Sequence, residues 1–207
     1  TKNGIIKKTA LSAYSNIRVN GVRAINLEED DELIETKLSD GKQTIMIATA
    51  NGQACRFNEQ ETRPMGRVTH GVIGIRLRKG DRVVSMAVVG EEGNLLTITE
   101  NGFGKRSPIS EYRKTHRGSK GVRTIVTNKR NGQVIYVKEV VDEDEIMLTS
   151  KEGMVVRIPV KDLRIQGRNT MGVRIMRLNE GDKVVSVAKI VEKDEEDECL
   201  VENKEEN

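Results

Sequence analysis

The chain has no tryptophan, only two phenylalanines and three tyrosines among its 207 residues, and no phenylalanine stands among the loop cations, so base stacking or intercalation has no obvious agent. Its two histidines, His70 and His116, lie far apart, with no carboxylate spacing that suits a proton relay or a metal centre. The two cysteines, Cys55 and Cys199, have no partner spacing for a zinc knuckle or a disulfide framework and read as thiols of a reducing compartment. A phosphate loop of the Gly-x-x-x-x-Gly-Lys-Ser/Thr type is missing. No apolar run approaches the roughly 18 residues of a membrane helix. The first residue is Thr1 and no secretory signal follows it, so the chain reads as a cut-out piece of a cytoplasmic protein. These absences exclude a catalytic constellation, a metal site and a bound cofactor, and the chain is not expected to be an enzyme by itself. The acidic clusters at 28–32 and 142–145 precede apolar strand-like runs and read as solvated edges.

What is present is charge and glycine. Charged residues make up 32% and hydrophobic residues 36% of the chain, and 19 glycines favour many turns, as in an all-β protein. The net charge is only +3, but it is unevenly spread. Residues 192–207 hold nine Asp/Glu and two Lys, whereas the other 191 residues carry 33 basic and 23 acidic groups. A basic body with an acidic end suits a binder of polyanions, with which the acidic segment at 192–198 is expected to compete for the basic surface.

The sequence repeats. A turn-forming glycine recurs at Gly4, Gly52, Gly102 and Gly153, and a second, always followed by valine, at Gly21, Gly71, Gly121 and Gly172. Both markers keep a period of 48 to 51 residues. Units therefore start near residues 1, 49, 99 and 150. Each reads as four short strands. The first spans 5–9, 53–57, 103–107 and 154–158; the second opens at Gly-Val; the third spans 33–38, 83–89, 134–141 and 184–191; the fourth spans 44–48, 95–98 and 146–149. Asn51-Gly52 and Asn101-Gly102 are tight-hairpin signals, because Asn and Gly tolerate positive φ. Tyr14 and Tyr112, each ten residues after a turn glycine, read as packing residues.

Four strands per unit give a propeller blade, which must stack on neighbours to bury its faces. The expected fold is all-β, propeller-like, with about four visible four-stranded blades over residues 1–201 and an acidic tail at 202–207. The run Glu195-Glu196-Asp197-Glu198-Cys199-Leu200-Val201 parallels 142–148, so 199–201 is expected to be a strand that completes the last blade or closes a ring.

Cations recur as well. Four residues after each turn glycine stand Lys8, Arg56, Arg106 and Arg157, with Lys7 and Lys105 one place earlier. Two residues after the Gly-Val glycine stand Arg23, Arg123 and Arg174; Arg76 follows Gly71 by five. The connecting loops add Arg18, then Arg63 and Arg67, then Arg113, Lys114, Arg117 and Lys120, then Arg164 and Arg168. Stacked around an axis, repeated positions become rings, and rings of cations form a basic track. Such a track suits duplex DNA, because many phosphate contacts along a curve offset the cost of bending without reading bases.

Several runs resemble one family in particular. Ala50-Asn51-Gly52, Arg63-Pro64-Met65-Gly66-Arg67, Gly71-Val72-Ile73-Gly74-Ile75-Arg76-Leu77 and Gly80-Asp81-Arg82-Val83-Val84-Ser85 resemble successive blades of the gyrase A C-terminal domain family. So do Asn101-Gly102-Phe103-Gly104-Lys105-Arg106 and Gly167-Arg168-Asn169-Thr170-Met171-Gly172-Val173. The resemblance implies a β-pinwheel whose blades exchange strands. It also implies a basic perimeter that wraps duplex DNA to support negative supercoiling in the cytoplasm, at the nucleoid. The implied partners are gyrase B and the rest of gyrase A. The family usually has six blades and a Gln-Arg-Arg-Gly-Gly-Lys-Gly heptapeptide. Here four repeats are visible, and the nearest stretch is Thr115-His116-Arg117-Gly118-Ser119-Lys120-Gly121, so the chain is expected to bind DNA without supporting supercoiling. The C-terminal domain of the corresponding topoisomerase IV subunit is the alternative, and a protein-recruiting propeller a third reading.

Overall fold

Short apolar runs between positive-φ glycines give strands. Residues 1–190 are described by the computed structural model; the expected strand at 199–201 and the acidic segment 192–207 lie outside them. The strands are β1 (Ile5–Ile6), β2 (Thr44–Thr49), β3 (Gln53–Asn58), β4 (Val72–Ile73), β5 (Val83–Val89), β6 (Asn94–Thr99), β7 (Phe103–Pro108), β8 (Val122–Arg123), β9 (Val134–Val140), β10 (Glu145–Ser150), β11 (Val155–Pro159), β12 (Val173–Arg174) and β13 (Val184–Ile190). A one-turn 3-10 helix follows the first strand of every repeat, at Leu11–Tyr14, Glu59–Glu61, Ile109–Glu111 and Val160–Asp162.

The class is the all-β, propeller-like one expected from the repeats. Two sheets have four strands, in the orders β5-β2-β3-β8 and β9-β6-β7-β12; a third is β13-β10-β11, and a two-stranded piece joins β1 to β4. The sheets do not follow the repeats. Each hairpin joins the last strand of one repeat to the first strand of the next. Its inner neighbour is the third strand of that later repeat, and its outer neighbour is the Gly-Val strand of the repeat after it. Blades built from four consecutive strands are thus replaced by blades that exchange strands. The third strand always pairs with the fourth strand of the preceding repeat, and 33–38 has no such partner among the described residues. It runs as an unpaired strap whose Glu35 accepts from the Met86 N–H (3.2 Å) and pairs with Lys138.

The third strands lie nearest one another: β5 packs along β9 and β9 along β13, and Ser85 Oγ donates to the Val137 carbonyl at 2.6 Å. The sheet order therefore puts β8 and β12 on the outer edge. The fourth strand lies second from the inside; β2 and β6 are buried on both faces, which explains their compact apolar runs, whereas β10 leaves Met147 exposed. Ile45 and Ile47 join Phe57, Ile75 and Val83 in one core. Met46 and Ala48 join Leu95, Tyr112, Ile125 and Val137 in the next, so the cores lie between blades.

The two glycine markers have one cause. The exchanged strand is tied to the turn of the preceding repeat: the N–H groups of Gly74, Thr124 and Ile175 donate to the carbonyls of Gly4, Gly52 and Gly102 at 2.8–2.9 Å. A Cβ on Gly52 would meet the Ile125 carbonyl at 2.5 Å, and one on Gly102 the Met176 carbonyl at 2.4 Å. On the opposite strand, a Cβ on Gly121 would meet the Ala54 carbonyl at 2.5 Å. Among the described residues positive φ occurs only at glycines, so Asn51 does not share it. The hairpin is the tight one expected there, a turn closed by Gly52 N–H to Thr49 O (3.0 Å) with the glycine as a left-handed bulge. Aspartates complete the joint: Asp31, Asp81 and Asp182 accept from the N–H of the residue immediately before the turn glycine (Asn3, Asn51 and Glu152) at 2.9–3.1 Å.

Gly153 has a φ of +87° but nothing within 4 Å of an added Cβ, because no exchanged strand crosses it among the described residues. Gly153→Ala should therefore cost about 1 kcal/mol, the left-handed backbone penalty alone. Gly102→Ala adds a backbone clash and should cost about 2 kcal/mol more. Urea unfolding of the two variants checks the difference.

Candidate nucleic-acid interface

The strand-one cations divide into two kinds. Arg56 and Arg106 are 5% and 4% exposed and point into the next repeat. Arg56 donates to the carbonyls of Ile109 (3.3 Å), Tyr112 (3.1 Å) and Gly90 (3.1 Å), and pairs with Glu91. Arg106 donates to the carbonyls of Leu163 (2.8 Å) and Lys161 (3.3 Å), and pairs with Asp142. Lys8 makes the matching contact with the Glu59 carbonyl at 3.1 Å. Each is a rivet that fills the open carbonyls of the following 3-10 turn, where a neutral residue would leave buried acceptors unpaired. Arg157, in the last repeat, has no following turn among the described residues; it pairs with Glu145 in its own hairpin and its side chain is 58% exposed.

The preceding position does related work. Lys105 is wholly buried and donates to the carbonyls of Gly167 (2.6 Å) and Arg168 (2.9 Å) and to Thr170 Oγ1 (3.2 Å). Burial pushes its ammonium down to about 8, against a raising effect of Glu111. Lys7 binds the carbonyls of Ala24 and Arg67. In the second repeat Cys55 takes this place, with its sulfur 3.1 Å from Ser119 Oγ in the loop resembling the heptapeptide. The expectation that strand-one cations form an exposed ring is therefore corrected at Arg56, Lys105 and Arg106, which hold one repeat to the next.

The rim is built from the long loops and the exchanged strands. Each loop leaves the first strand, runs beside the preceding repeat and ends in its outer edge. The N–H groups of Met65, Thr115 and Gln166 bond to the carbonyls of Lys8, Arg56 and Arg106 at 2.7–2.8 Å. Three loop arginines tie successive outer strands together: Arg67 to the Arg23 carbonyl (3.4 Å), Arg117 to that of Ile73, and Arg168 to that of Arg123 (2.9 Å). They remain half-buried, with Arg168 also stacked over Tyr112 at 5.7 Å. Arg123 and Arg174 stand exposed on the outermost strands β8 and β12, and Arg23 and Arg76 are exposed in the matching segments. Arg18, Arg63, Arg113, Lys114, Lys120 and Arg164 are exposed in the loops. Lys114 is the one of these paired with Glu91.

Spacing did not single out the exposed Arg78, Lys79, Lys129 and Arg130. They lie in the turns that lead from the exchanged strand to the third strand. Their signal was half present: Lys79 and Lys129 both stand eight residues after the Gly-Val glycine, where Glu29 and Glu180 stand in the other repeats.

A family model described as the DNA gyrase C-terminal domain, beta-propeller, matches residues 1–38, 43–90, 93–140 and 144–190. The gyrase A protein of Staphylococcus epidermidis is 44% identical over 197 residues, covering 94% of this chain and 22% of that protein. That of Chlamydia pneumoniae is 42% identical over 208 residues, covering 100% of this chain and 25% of that protein. The chain thus spans about a quarter of the length of these curated relatives. Among solved structures, the C-terminal domain of DNA topoisomerase IV matches with a TM-score of 0.90 and 28% identity, over 100% of this chain and 65% of that one. The DNA gyrase A C-terminal domain matches with a TM-score of 0.83 and 29% identity, over 92% of this chain and 64% of that one.

Two outcomes test the rivets. Arg106→Met should cost about 3 kcal/mol by leaving buried carbonyls and Asp142 without their donor, whereas Arg157→Met should stay within about 0.5 kcal/mol in urea unfolding. Lys105 has a folded pKa of about 8, below the ordinary lysine value of about 10.4. The unfolded chain then binds more protons between those values, so stability rises with pH across that window. Measured from pH 8 to 10, the wild type should gain stability relative to Lys105→Met.

Proposed function

The chain belongs to the DNA gyrase C-terminal domain family, and from that premise we propose that it is a non-catalytic module that wraps duplex DNA around its basic rim. The observation that carries the reading is the placement of exposed cations on the outermost strands and on the loops that run beside them. A duplex laid along that edge meets Arg123 and Arg174 from the strands. It meets Arg63, Arg113, Lys120 and Arg164 from the loops, with Arg23, Arg18 and Arg76 extending the path. Arg67, Arg117 and Arg168 fix the rim's shape and add charge to it. Arg56, Lys105 and Arg106 hold the blades together and do not touch DNA. Contacts of this kind reach phosphates rather than base edges, so binding is largely independent of sequence.

The module would serve gyrase A, working with gyrase B in a cytoplasmic, nucleoid-associated enzyme that introduces negative supercoils. It has no cofactor of its own and no membrane role in this reading. Identity of 42–44% to gyrase A proteins supports gyrase over topoisomerase IV. The high TM-score to the topoisomerase IV domain keeps that enzyme as the second reading.

Fluorescence anisotropy with a linear duplex tests the interface. With 6–10 phosphate contacts, affinity should fall by roughly 10³–10⁵ between about 50 and 200 mM salt. Affinity that holds constant over that range would overturn the reading.

A further inference from the structure

The rim is uneven in charge. From the 3-10 turn to the start of the third strand, repeat three (residues 109–132) carries seven Lys/Arg and one Glu, a net of +6. The matching stretches of repeats two (59–81) and four (160–182) each carry five against three, and that of repeat one (10–31) carries two against four.

Repeat three also has the one phenylalanine at the start of a first strand; Ile5, Gln53 and Met154 stand there in the others. Two guanidiniums lie over the Phe103 ring, Arg130 at 5.5 Å and Arg174 at 5.4 Å from its centre. Arg174 comes from the outer strand β12, directly paired with Phe103, and Arg130 from the turn preceding β9. That turn abuts the rim, since Asn131 Nδ2 donates to the Met171 carbonyl at 3.3 Å. Both arginines are exposed, while the ring beneath them is 4% exposed. Beside them a cavity of about 290 Å³ is lined by Asn101, Phe103, Arg130, Arg174, Asp182 and Lys183 among others, large enough for a phosphodiester. Of the nearby carboxylates, Glu100 pairs with Lys183 at 2.8 Å, and Asp182 accepts through Oδ1 from the N–H groups of Glu152 and Lys183, while its buried Oδ2 has no hydrogen-bond partner.

We propose that Arg130 and Arg174, held on Phe103, form a preorganised phosphodiester-binding site that anchors duplex DNA on repeat three. It rests on the reading of the rim as a duplex interface. An arginine already stacked loses less rotamer freedom when it takes a phosphate than a free one does. Repeat three therefore grips first, by fixed geometry as well as by its excess of charge. Bending then proceeds outward to the weaker repeats on either side.

The test uses the full chain and a linear duplex in an anisotropy titration across salt. Arg130→Ala should weaken binding about tenfold, the scale of one lost charge-assisted bond, and shrink the salt slope by about 0.9. Lys79→Ala, in the matching turn of repeat two, should shrink the slope alike but weaken binding only about twofold, as a mobile surface charge does. Phe103→Met keeps every charge and uses the residue found at this place in repeat four. It should leave the slope unchanged and weaken binding about threefold, the size of a lost cation–π hold. Equal losses for Arg130→Ala and Lys79→Ala would overturn the anchor, and so would wild-type affinity in a Phe103→Met chain that melts cooperatively. If the Phe103 variant fails to fold, the comparison of the two charge variants decides. A wild-type chain that binds no duplex at all would instead remove the rim reading on which the anchor rests.

Discussion

Every blade boundary depends on one joint, in which a strand of one repeat is laid on the edge of the preceding blade and held there. The joint has three parts. Backbone bonds run to the turn glycine, a buried cation fills the carbonyls of the next 3-10 turn, and an arginine of the loop ties two outer strands together. None of these could form within a single repeat. The fold is therefore cooperative between neighbours, and the long loops are drawn to the outside because they must carry the chain from one blade to the edge of another.

The same joint explains which parts of the fold were legible in the residues. The period was legible because both glycine markers sit where an exchanged strand leaves no room for a Cβ, at Gly52 against Ile125 and at Gly121 against Ala54. The third and fourth strands were legible because one alternates, as Val83, Ser85, Ala87 and Val89 do, while the other is buried on both faces in β2 and β6. Ownership of the second strand was not, since two residues at Val122–Arg123 look alike whether they pair within the repeat or outside it. The strap at 33–38 has strand-forming residues and lacks only a neighbour, which no local pattern reveals.

The interface was half legible. Spacing identified the cations but not their direction, because Arg106 and Arg123 are one letter. The first faces carbonyls of the next repeat and the second faces solvent on the outermost strand. Depth in the sheet separates them, and depth follows from strand order rather than from composition. Once the inward rivets are set aside, Arg123 and Arg174 on the outermost strands and the exposed arginines of the loops beside them share the outer edge, whereas Lys138 and Lys189 sit on the inner third strands.

Wrapping, as opposed to mere binding, is the central claim, and the linking number of circular DNA tests it most directly. A nicked circle is ligated in the presence of the chain at low salt, the protein is removed, and the topoisomers are resolved. A duplex that follows the curved rim should shift the distribution progressively with bound chain, and the shift should vanish at high salt. A distribution identical to that of protein-free DNA, at concentrations where the circle is saturated, would contradict wrapping and leave only a straight-duplex binder.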